Sequence, residues 1–89
     1  MNSEALFTQL VAIFHGSAMV ALGKIKNPAT DKIERNLDQA KQAIDMLNML
    51  KEKTKGQLSQ NEQRLLESSL TDLRLNYLDE SQKGNISVA

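Results

Sequence analysis

An all-α fold of three helices is the class this sequence predicts, and three observations predict it. One is an uncharged stretch from Ala5 to Leu22, apolar at 13 of its 18 positions. The second is a pair of later segments whose Leu, Ile and Ala residues recur at spacings of three and four, the period of an amphipathic helix. The third is composition: 40% apolar residues against 3% aromatic, with no Trp, a balance that suits helix packing better than a β-sandwich. Eighty-nine residues make one domain, in the size range where a single core is marginal and association is a common remedy. That domain is expected over 1–80, followed by a disordered tail over 81–89, where periodicity is lost and Gly84 and Asn85 enter.

The first helix is expected to start at Ser3 as N-cap, with Glu4 favourable at the positive end of the dipole, and to end near Leu22 and Gly23. At about 100° per residue, Leu6, Leu10, Ile13, Phe14, Ser17, Val20 and Ala21 share an arc, which Phe7, Val11, Ala18 and Leu22 widen past half the circumference. What remains is a strip of Ala5, Thr8, Ala12, Gly16, Met19 and Gly23, mostly small side chains that let another helix come close. The stretch is about as long as the shortest membrane span, roughly 17 residues. Thr8, Gln9, His15, Gly16 and Ser17 interrupt it, and the later helices would lose their cover if it entered a bilayer, so a buried helix of a soluble protein is the preferred reading. No signal peptide is expected, because the residues before the stretch include Glu4 and neither Lys nor Arg.

Pro28, the only Pro, follows Asn27 and marks Lys24 to Thr30 as a turn. The second helix is then expected to open on a capping box, Asp31 as N-cap with Glu34 three residues on. Ile33, Leu37, Ala40, Ile44 and Leu47 form its apolar stripe, widened by Ala43, Met46 and Leu50, and Asp38, Lys41, Asp45, Asn48 and Glu52 form the polar row. Lys53, Thr54, Lys55 and Gly56 close it, with Gly56 suited to a left-handed C-terminal position. A second capping box, Ser59 with Glu62, opens the third helix, so the short connection makes helices two and three antiparallel neighbours. The third helix buries Leu65, Leu66, Leu70, Leu73 and Tyr77 and leaves Leu75 and Leu78 spare. Such a hairpin covers less apolar surface than the first helix offers, which predicts self-association.

Leu22 with Gly23, Asn27 with Pro28, Asn36 with Leu37, Ile44 to Leu47, Glu52 to Gly56, Glu62, Leu65 to Glu67, Asp72 to Arg74 and Tyr77 together resemble a small bacterial family, domain of unknown function 1844. The likeness runs from about Leu6 to Leu78 and is most specific in Glu-Lys-Thr-Lys-Gly followed by Leu58 and Glu62. The chain departs from the pattern at Gln57, where Asn is expected, and near Asp31, where Gly is expected. The resemblance implies a short bacterial helical protein of the cytoplasm and attaches no activity to it.

Charge and chemistry exclude several classes. Eleven basic and 11 acidic residues cancel, so there is no nucleic-acid footprint, and the absence of Cys removes disulfides and thiolate metal sites. His15 is the only His; its neighbours at helical spacing, Val11, Ala12, Ala18 and Met19, offer neither nucleophile nor orienting group, so it reads as a structural or interface His. Lys53 to Gly56 lacks the upstream glycines of a phosphate loop, and its lysines close a helix at the negative end of the dipole. Asp45, Asp72 and Arg74 carry the expectation of a structural salt bridge between Arg74 and a carboxylate. Met19, Met46 and Met49 read as adaptable packing.

No catalytic residue, metal ligand or cofactor is expected. The function expected is that of a non-enzymatic homo-oligomeric interaction or scaffold protein in the cytoplasm, its partner itself or another protein. Leu10, Ile13, Phe14, Ser17 and Ala21 are its expected interface, with Ala12 and Gly16 wherever two first helices cross. A membrane-associated module inserting the first helix, or a carrier of a small apolar ligand, are the alternatives.

Overall fold

Asn2 rather than Ser3 caps α1 (Ser3–Ala21): its side-chain oxygen accepts the Ala5 N–H at 2.8 Å, which moves the start back one residue. The computed structural model describes residues 2–88, with side chains through residue 83. Two further helices follow, α2 (Leu37–Lys53) and α3 (Gln60–Val88), and the three pack pairwise on one another as an all-α fold. The 29 residues of α3 span about 43 Å, which sets the 46 Å long dimension.

The end of α1 is a full Schellman motif. Lys24 N–H donates to the Met19 carbonyl and Gly23 N–H to that of Val20, both at 3.0 Å, with Gly23 at φ 78.

The beginning of α2 corrects the sequence reading. Asp31 is not an N-cap, and the cap stands five residues later at Asn36, whose side chain accepts the Gln39 N–H at 3.1 Å. The reason lies in the turn. Asp31 N–H donates to the Asn27 carbonyl at 2.7 Å, and Asp31 sits at φ 57, whereas an N-cap needs extended backbone. Glu34 is thereby drawn to Asn27 Nδ2 at 2.9 Å and Thr30 Oγ1 at 3.1 Å instead of capping a helix. Ile33 falls outside α2 and is exposed. The left-handed backbone of Asp31 is one that Gly adopts at no steric cost.

Between α2 and α3 the expectations hold. Gly56 takes φ 80, in a turn closed by Gln57 N–H donating to the Thr54 carbonyl. Ser59 and Glu62 exchange capping bonds, Ser59 N–H to Glu62 Oε1 at 2.8 Å and Glu62 N–H to Ser59 Oγ at 3.2 Å. Helical backbone continues past Ser81, where the sequence suggests an irregular tail, and reaches Val88; Lys83 supports the first of these extra turns through Asp79 and Glu80. Ala89 lies outside the described residues.

The core joins Val11, Ala18, Ala21 and Leu22 to Ala40, Ala43, Ile44 and Leu47 of α2 and to Leu66, Leu70 and Leu73 of α3. Each fully buried Leu among these contributes about 1.5 to 3 kcal/mol. Alanines on both sides of the contact between α1 and α2 keep it narrow. As a result the hairpin covers the edge of the apolar arc of α1, and the middle of that arc stays outside.

Candidate interaction surface

Leu6, Leu10 and Ile13 of α1 are 52%, 37% and 60% exposed, the residues that the sequence places mid-arc. Gln9, Ala12 and Ser17 are exposed with them, and Gly16 is half-buried. A Cβ placed on Gly16 would meet no atom within 4 Å, so nothing inside the chain requires Gly there.

The C-terminal half of this face is the floor of an open groove of about 920 Å³. Ala12, Ile13, Gly16, Ser17 and Val20 form the floor; Ile25, Lys26, Asn27, Pro28, Glu34 and Arg35 form a wall along one side. On the side of α2, Phe14, Ser17, Ala43 and Met46 line a shallower depression, with Met46 and Met49 both exposed.

Three attachments hold the wall. Asn36 N–H donates to the Ala21 carbonyl at 2.7 Å, fixing the end of the connection against the end of α1. Lys24 Nζ lies 2.7 Å from Glu80 Oε2, and Arg35 reaches Glu80 Oε1 at 3.2 Å. Lys83 adds a third cation at 3.1 Å. Glu80 is 8% exposed, and hydrogen bonds from Lys24 and Lys83, reinforced by Arg35, hold its carboxyl at about 2, below its ordinary 4.5. Contact with Lys83 and Lys24 lowers Asp79 as well. No local spacing announces this cluster, because its members stand 45 and 56 residues apart. Lys83 does stand three and four residues from Glu80 and Asp79 on one helix, but it lies where the sequence suggests an irregular tail.

The other expected residues distribute as follows. Ala21 is 5% exposed and belongs to the core of its own chain, so its place in the expected interface is corrected. Phe14 is half-buried against the core and reaches the surface only at the depression beside Met46. Arg74 pairs with no carboxylate among the described residues; it donates to Asn48 Oδ1 at 2.8 Å, because the polar row of α2 offers Asn48 opposite it. Asp72 is taken by His15 Nε2 at 2.9 Å, a contact between α1 and α3, and Asp45 is exposed, with no ion pair among the described residues. Lys53 to Gly56 forms the helix end and turn expected of it.

By length and composition α1 is apolar enough to cross a membrane, and most of it is uncovered by the rest of the chain. Among the described residues no group of three or more metal-ligating side chains occurs.

No curated protein and no solved structure matches this chain. The model of a domain of unknown function, DUF1844, matches residues 4–80, which takes in all of the core and the groove and ends on Glu80. The chain therefore belongs to the DUF1844 family.

Proposed function

We propose that this protein is a non-enzymatic, homo-oligomeric interaction module of the cytoplasm, assembled through the outward face of α1. The observation that carries the reading is the exposure of Leu6, Leu10 and Ile13 together on a helix without formal charge from Ala5 to Leu22. Contiguous apolar surface of this kind is costly in water and marks interfaces in soluble chains. Obligate association also compensates a core that, in a chain of this size, is small. Sedimentation equilibrium over a wide concentration range tests it. A mass of two or more chains, reduced to one by Ile13→Glu with helix content intact, is the expected result; a single-chain mass at every concentration would sink the proposal.

One observation favours a second reading. The length and apolar composition of α1 also suit a peripheral membrane module that inserts this helix reversibly. Co-sedimentation with lipid vesicles separates the two, since an oligomer that has covered α1 leaves the vesicles in the supernatant.

A further inference from the structure

We infer that the outward face of α1 is two-fold self-complementary, and that two copies pack α1 against α1 antiparallel, Ile13 of each over Gly16 of the other. This rests on the assembly reading above and specifies its geometry. Ile13, at 60% exposure, is the most protruding apolar residue of α1, and one turn away Gly16 leaves open space where a Cβ would stand. A two-fold contact requires that residue i of one copy meet residue j of the other, and j meet i. A projection and a gap three residues apart on one face satisfy that condition in a single step. Gln9 and Val20 lie four residues further out on either side of the pair and share its face, so the same axis sets Gln9 opposite Val20. A parallel pairing would instead set Ile13 on Ile13 and leave Gly16 facing Gly16 across a void.

The helix dipole favours the antiparallel arrangement. Reversing one helix opposes the two dipoles, setting the positive end of each α1 beside the negative end of its mate. Glu4 and Glu62 flank the N-terminal end of this face beside Ala5 and Thr8, while Lys26, Glu34 and Arg35 line the groove at the other end, with Arg35 already paired to Glu80, so side-chain charge does not set the direction.

Area accounts for the groove. A standard interface buries about 800 Å² per partner over roughly 20 to 30 residues, or about 35 Å² each, so one helix face of on the order of ten residues provides less than half of that. The wall from Ile25 to Arg35 supplies much of the rest, because a helix lowered onto α1 lies alongside it. A helix about 10 Å wide fits such a groove.

The chain contains no Cys, so single-cysteine reporters have no background. Chains carrying Gln9→Cys and Val20→Cys are oxidised separately and as a mixture, with the mass of the unmodified chain measured in parallel. The expected result is a two-chain mass, little linkage in either variant alone, and at least tenfold more linkage between Cys-substituted positions 9 and 20 in the mixture. A two-chain mass with links only between like positions would overturn the antiparallel packing and leave self-association standing. A single-chain mass throughout would overturn both, and pelleting of that monomer with zwitterionic vesicles would assign the face to a lipid surface. As a second arm, Gly16→Ile is expected to dissociate the pair and the added Ile13→Gly to restore it; dissociation that the second change leaves unrelieved, with helix content unchanged, would overturn the knob-and-gap contact.

Discussion

The ammonium of Lys24 sits 2.7 Å from a carboxylate oxygen of Glu80, so the residue just beyond α1 is tied to a turn of α3 that lies 56 positions later in the chain. Arg35, at the far end of the same connection, holds the other oxygen at 3.2 Å. Both ends of the groove wall are thus anchored to one side chain.

Glu80→Gln is expected to destabilise the fold by about 2 kcal/mol near neutral pH, since it leaves three cations without their shared partner in a mostly covered site. The carboxyl is held at about 2 against an ordinary 4.5. A lowered folded-state value means that its stabilisation is complete above about 4.5 and is lost as pH falls toward 2. Urea midpoints of the two proteins should therefore differ by a constant amount in the neutral range and converge in acid. A gap that stays the same at about pH 3 would show that the carboxylate charge is not what stabilises.

Asp31→Gly tests the left-handed turn. The φ of 57 costs an L-residue roughly 1 kcal/mol, less for Asp than for most, and Gly relieves it while losing more chain entropy on folding. The net change is expected to be within about 0.5 kcal/mol, whereas Asp31→Val should cost about 1 to 2 kcal/mol. Equal melting temperatures for Gly and Val variants would contradict the assigned backbone.

Ser59→Ala removes the hydroxyl that accepts the Glu62 N–H and donates to Glu4 Oε1 at 2.8 Å. About 1 kcal/mol of stability should be lost. Because the box is reciprocal, Glu62→Ala and the double variant should show non-additive losses in a double-mutant cycle. Simple additivity would mean that the two capping bonds act independently.

Gly16→Ala separates the folded chain from its assembly. A Cβ meets nothing there, and replacing a helix-interior Gly by Ala gains about 0.5 to 1 kcal/mol, so the dilute chain should melt higher. The dependence of melting on protein concentration should weaken, because the gap is partly filled. A rise at every concentration alike would detach Gly16 from assembly.

What the sequence conveyed depended on how local each signal was. Ser59 and Glu62 satisfy each other within one turn, and the third-helix leucines keep their period, so this half of the fold is readable directly. Asp31 and Glu34 present the same local pattern, yet hydrogen bonds to Asn27 and the anchoring of Arg35 on Glu80 override it. Neither competitor has a spacing that a linear reading detects. In α1 the difficulty is different: an arc wider than the hairpin leaves its orientation undetermined, and only packing decides that Val11 and Ala18 turn inward while Leu6 and Ile13 do not.

The distance along the chain between Lys24 and Glu80 has a consequence during synthesis. At about 5 to 20 residues per second, a ribosome that has completed α1 needs roughly 3 to 11 s to add Glu80. Until then the connection from Ile25 to Arg35 is held only by the Asn36 N–H on the Ala21 carbonyl, and the wall of the groove lacks its ionic anchor. Nascent chains crowded on one message consequently carry an apolar helix beside an unfinished groove. The carboxylate that completes it follows Leu66, Leu70 and Leu73, the core residues of α3, so the order of translation places the core ahead of the finished groove.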